Sequence, residues 1–145
     1  MSEEFVVILI EDDEECTGIF RRKINNASKL VQVVTTSSFE TAEDIFKSFL
    51  GDTKTHDNIL AIFLDGSIGN KDRGSSELAK MVRSHGYTGP VVAWSGDSNS
   101  LKLLVAAGCS HAIPKTDLAS LDALFMGLVP QQEVLVKLTL QEGFA

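Results

Sequence analysis

Glu11 with Asp12, then Asp65, Ser95 and Lys115, each stand at the carboxyl end of a short apolar stretch. The stretch before Asp65 (Ile59, Leu60, Ala61, Ile62, Phe63 and Leu64) has a period neither of two nor of 3.6 and reads as a strand buried on both faces. In open parallel sheets the carboxyl ends of the strands border the crevice where ligands bind. Strands of this kind therefore gather three carboxylates, a hydroxyl and an ammonium at one edge. A like-charge pair at ~4 Å costs about 4 kcal/mol at an effective dielectric of about 20. Either one carboxyl keeps its proton or a hard dication binds, and an all-oxygen, acid-rich cluster of Glu11, Asp12 and Asp65 suits Mg2+. Beside that dication Asp65 is a carboxylate nucleophile toward a phosphoryl group. Lys115 and Ser95 are then the groups wanted around the transferring oxygens, and the product is an aspartyl phosphate.

The elements that must position these groups alternate along the chain. Residues 5–10 form a second continuous apolar run ending in acids, and this run and the one before Asp65 are the expected central strands. Residues 31–34 read as a short edge strand, 91–94 as another buried strand ending at Ser95, and 111–113 as a last short one, with Pro114 tolerated at an edge or strand end. Between them, Cys16, Ile19, Phe20 and Ile24 recur at helical spacing behind Asp13, an N-cap, with Gly18 weakening that helix by about 1 kcal/mol. Ser37 and Glu40 offer a capping box for a helix carrying Ala42, Ile45, Phe46 and Phe49 and ending near Gly51. A polar loop over 66–74 leads to a helix capped by Ser75 or Ser76, carrying Leu78, Met81 and Val82 and closed by Gly86. Leu101, Leu104, Val105 and Ala106 mark a fourth helix ending at Gly108. Asp117 caps a fifth through Leu118, Leu121, Leu124, Phe125 and Leu128, and Pro130 breaks the pattern. Five strands alternating with five helices predict an α/β domain with a parallel sheet covered on both faces.

Composition narrows the function classes. The chain has 145 residues, one domain's worth, with a net charge of −7, which argues against nucleic acid or an anionic membrane surface as the main partner. Cys16 and Cys109 have no metal-finger or CxxC spacing and read as reduced thiols of a cytoplasmic protein. The acidic start of the sequence lacks the basic region of a signal peptide, and no apolar run approaches ~20 residues. His56, His85 and His111 show no ligand spacing, and Trp94 reads as core.

Four motifs in order, Ile-Glu-Asp-Asp at 10–13, Phe-Leu-Asp at 63–65, Ala-Trp-Ser-Gly at 93–96 and Ile-Pro-Lys at 113–115, resemble those of the response-regulator receiver domain. The resemblance covers residues 5 to about 128. It implies a flavodoxin-like doubly wound five-stranded parallel sheet in the order 2-1-3-4-5, an order known for the chemotaxis member of the family. It further implies that Glu11 and Asp12 form the acidic Mg2+ pocket with the backbone carbonyl of Ser67 as a further ligand. Asp65 is then the phosphoacceptor, Ser95 reorients toward the phosphoryl group, and Lys115 pairs with it. The implied donor is a histidine kinase or a phosphotransfer protein, the target being unknown. Ser67 and Asp97 stand where the family varies and tunes the lifetime of the phosphate.

The sequence also departs from the family. Gly69 occupies a usual proline position, the 66–74 loop is one residue longer than usual, Thr116 follows the lysine where a proline is common, and Ala112 stands where an aromatic switch residue is expected. Ala112 has no ring to move, so the switch is expected to run through Ser95, the helix beginning near Asn99 and the 66–74 loop. Two other readings stay open: a degenerate receiver that only binds partners, and a Mg2+-dependent aspartyl phosphatase of the haloacid-dehalogenase type, which looks for an acid where Ser67 stands. The receiver unit is expected over 1–128. In 129–145, Val134, Val136, Leu138 and Leu140 alternate with polar residues as in a half-buried strand, which points to a dimer or partner contact.

Overall fold

The computed structural model describes residues 5–66, 68 and 74–128. The five strands are β1 (Phe5–Ile10), β2 (Val31–Thr36), β3 (Ile59–Leu64), β4 (Val91–Ser95) and β5 (His111–Pro114). They form one sheet in the order β2-β1-β3-β4-β5, every pair parallel. This is the order that the sequence motifs imply. Both runs expected to be central, β1 and β3, are almost wholly buried, and they pair with each other through the middle of the sheet.

Alternation along the strands divides the core in two. Val7, Leu9, Ala61, Phe63, Val92, Trp94 and Ile113 face α1 (Glu14–Ala27) and α5 (Leu118–Leu128), whose Phe20, Ile24, Leu121 and Phe125 complete that cluster. Val6, Ile8, Ile10, Ile62, Leu64, Val91 and Ala93 face α2 (Phe39–Leu50), α3 (Ser75–Ser84) and α4 (Ser98–Ala107), which supply Phe46, Leu50, Leu78, Val82 and Leu104. Rings dominate the first cluster. Phe20 packs edge-on to Phe63 at 4.8 Å and to Phe125 at 5.0 Å between centroids.

Several boundaries differ from the sequence expectation. Strand β2 continues to Thr36, because its backbone stays in register with β1 up to the Ile10–Thr36 pair. The cap of α2 is Ser38, whose Oγ accepts the Thr41 N–H at 3.2 Å, so Ser37 and Glu40 do not form the expected box. Neither Ser75 nor Ser76 caps α3; Gly74 holds that position without a side-chain bond, and Ser75 is the first helical residue. A 3-10 helix over Thr53–Asn58, absent from the sequence reading, leads into β3. Asp13, Asp97 and Asp117 each accept a backbone N–H at the start of their helices. Gly86 and Gly108 both take positive φ where α3 and α4 end, a conformation that other residues adopt only at a cost. Residues 129–145, with their alternating apolar pattern, lie outside the described residues, as do Ser67 and Gly69.

Candidate functional site

Three backbone hydrogen bonds carry the sheet one residue past its strands. The N–H groups of Glu11, Asp65 and Lys115 donate to the carbonyls of Thr36, Ile10 and Ser95, each at 3.0 Å. The candidate residues are thus pinned by the ladder at one edge. Each lies two positions beyond an inward-facing residue of the α1/α5 side (Leu9, Phe63 and Ile113), so their side chains emerge on the same face. Ser95 has the opposite parity and looks toward α3 and α4.

The side chains meet as that parity requires. Carboxylate oxygens of Glu11, Asp12 and Asp65 lie within 4.8 Å of one another. Lys115 Nζ is 2.5 Å from Glu11 Oε1 and 3.3 Å from Asp65 Oδ1. Glu11 and Asp65 are 2% and 4% exposed, so little water screens that pair, while Asp12 is exposed at its edge. Lys115 Nζ also stands 5.4 Å from the centre of the Trp94 ring, a cation–π contact from above a side chain that is 1% exposed. The Trp94 indole N–H finds no hydrogen-bond partner among the described residues.

Three carboxylates facing one ammonium do not all ionise freely. Burial, and then Asp65 beside it, push the Glu11 carboxyl up to about 8, against which Lys115 pulls only in part. Asp12 is also raised, by partial burial and by Asp65. Burial acts on Asp65 in the same sense, but hydrogen bonding from Glu11 and the charge of Lys115 outweigh it, and Asp65 is held below its ordinary value. Lys115 is desolvated, yet Glu11 and Asp65 raise it further above the ordinary lysine value, so it stays an ammonium. Glu11 is therefore the carboxyl of the cluster that favours keeping a proton, and Asp65 the one that favours the anion. A clustered, oxygen-only, partly protonated donor set fits a hard divalent cation that displaces that proton. Glu11, Asp12 and Asp65 are the residues that can hold it.

Ser95 ends β4 beside this cluster, 3% exposed. Its Oγ accepts the Asp97 N–H at 3.1 Å, which leaves its own proton to give. The sequence reading missed Ser75. Its buried hydroxyl donates to the Asp65 carbonyl and accepts the Ile68 N–H at 3.3 Å, so the start of α3 is tied to the backbone of the candidate nucleophile. Only its placement immediately after a loop hinted at this, and the same signal suits a helix cap.

No family model matches the sequence, and no curated protein matches it. The solved structures are another matter. A signal receiver domain of the DNA-binding response regulator merR from Colwellia psychrerythraea 34H superposes with a TM-score of 0.70 at 17% identity, over 88% of this chain and 100% of that one. A CheY-like response-regulator receiver domain from Methylobacillus flagellatus gives 0.63 at 20% identity, over 88% and 100%. The phosphorylated cyanobacterial phytochrome response regulator RcpA gives 0.64 at 17%, over 86% and 91%. The fold is that of a response-regulator receiver domain. In this receiver fold the acids follow β1, Asp65 follows β3, Ser95 ends β4 and Lys115 follows β5, at the carboxyl edge where doubly wound sheets bind their ligands. Ala112 is exposed on β5 and presents no ring. No helix among the described residues is long and apolar enough to cross a membrane.

Proposed function

We propose that this chain is a phosphoacceptor receiver of a two-component phosphorelay, taking a phosphoryl group from a histidine kinase or phosphotransfer protein onto Asp65. The observation that carries this is the convergence of Lys115 on Asp65 and Glu11 within an acid cluster at the carboxyl edge of a receiver sheet. The phosphorylated state of RcpA belongs to that protein and supports the reading by likeness of fold alone.

Asp65 is the nucleophile because it is anionic and fixed by the Ile10 carbonyl. Its oxygen bonds to phosphorus as the phosphorus–nitrogen bond of the donor breaks, and the imidazole leaves with the bonding pair. Lys115 neutralises charge on the transferring oxygens and the Ser95 hydroxyl donates to one of them. Glu11, Asp12 and Asp65 would hold Mg2+, with the Ser67 carbonyl as a further ligand, and the bound ion would offset phosphate charge that otherwise repels the nucleophile. The chain acts on itself and is no enzyme toward other substrates. Its output is a changed contact face in a cytoplasmic signalling complex.

Incubation with phosphoramidate and Mg2+, followed by intact mass, tests this. One phosphoryl group is expected on the wild type and none on Asp65→Asn. Equal modification of Asp65→Asn would remove Asp65 from the role of nucleophile, and an unmodified wild type would leave the chain as a partner-binding domain only.

A further inference from the structure

The loop after Asp65 and the first turn of α4 approach each other more closely than a side chain would allow. A Cβ placed on Gly66 would lie 2.5 Å from Ser100 Cβ, 2.9 Å from Ser100 Oγ and 2.9 Å from Ser95 Oγ. The absent side chain of Gly66 therefore admits the Ser100 side chain, and both hydroxyls share the space beside the nucleophile's neighbour. Hydrogen bonds close the loop on the other side. Ser100 Oγ donates to Asp97 Oδ2 at 3.1 Å, Asp97 Oδ1 accepts the Asn99 N–H at 3.1 Å, and the Asp97 N–H donates to Ser95 Oγ at 3.1 Å.

We propose that Ser100 is a positioning residue that orients the Ser95 hydroxyl through Asp97, and that its contact with Gly66 couples the first turn of α4 to the state of Asp65. This rests on the reading of Asp65 as phosphoacceptor. The Asp97 N–H occupies an acceptor site of Ser95, so it decides which way the free Ser95 proton points. Asp97 is exposed, and among the described residues only the Asn99 N–H holds its carboxylate once Ser100 is removed. A phosphoryl group arriving on Asp65 draws the Ser95 hydroxyl toward it. The Asp97 N–H then loses its acceptor, and because Ser100 is wedged against Gly66 the release is felt as a movement of α4. A switch of this design needs no ring at Ala112.

Time courses of phosphoryl uptake from phosphoramidate and Mg2+, read by intact mass, would compare wild type, Ser95→Ala, Ser100→Ala and the double variant. Ser100→Ala should slow uptake about 2- to 10-fold, the range of one hydrogen bond, and should slow it no further in the Ser95→Ala background. A wild-type rate in Ser100→Ala, or equal slowing in both backgrounds, would overturn the positioning role while leaving Asp65 as phosphoacceptor. A wild type that takes up no phosphoryl group would remove both. The contact has its own readout in thermal melts. Gly66→Ala should lower the melting temperature. Ser100→Gly, destabilising on its own as a glycine within a helix, should raise it in the Gly66→Ala protein. Additive losses would show that Gly66 and Ser100 are uncoupled, and the wedge would be wrong.

Discussion

Glu11 shows how far a residue's chemistry can lie from its usual value. Its carboxyl is pushed from 4.5 to about 8, so between those values the folded, metal-free protein binds a proton that the unfolded chain releases. Stability therefore falls as pH rises through that window. On the proposed reading Mg2+ would displace that proton and bind the folded state alone, so its stabilising increment should grow toward pH 8. Melting temperatures with EDTA and with Mg2+ across pH 5 to about 8 check this; parallel curves would remove Glu11 as the titrating group. Asp12→Ala relieves the repulsion without removing the buried pair. It should melt higher than wild type in EDTA and respond little to Mg2+, and an undiminished Mg2+ response would take Asp12 out of the binding set. The acids and Lys115 were legible because each follows a buried apolar run. The upward shift of Glu11 was not, since it comes from the burial of its carboxyl and from Asp65 beside it, which meet only once β1 and β3 are paired.

At the level of elements, helix existence and face were legible from period and the ends were not. Ser37 and Ser38 are chemically equivalent caps in adjacent positions, and the one chosen depends on where β2 leaves the sheet. Ser75 illustrates the same ambiguity with a functional outcome. Its hydroxyl serves the Asp65 carbonyl and the Ile68 N–H in place of its own helix, in a buried setting. Ser75→Ala should cost about 1–3 kcal/mol in urea unfolding, the penalty for leaving such groups unpartnered. A loss below about 0.5 kcal/mol would mean that water takes over both bonds. The 3-10 helix at Thr53–Asn58 has no apolar period to betray it.

For the whole molecule, strand order is more than a label. Placing β1 beside β3 brings the Glu11–Asp12 pair next to Asp65, and placing β4 and β5 together on the far side delivers Ser95 and Lys115. Pattern alone gave parallel strands and covered faces; the order came from four motifs that resemble a family, because apolar runs carry no address. The receiver unit is proposed to end at 128. Deleting residues 131–145 should leave phosphoryl uptake intact and alter the mass seen by light scattering if that segment builds a dimer. An unchanged mass would remove the dimer reading.

The position of Trp94 makes the molecule its own optical instrument. It is the single tryptophan of the chain, sealed among Phe20 and its neighbours, with the Lys115 ammonium 5.4 Å from its ring. Its emission should be blue-shifted relative to free indole, and its intensity should follow the distance of that charge. A beryllofluoride adduct on Asp65 would draw the ammonium away from the ring and change the yield with no dye attached. The same change absent in Lys115→Ala would assign the signal to that one charge.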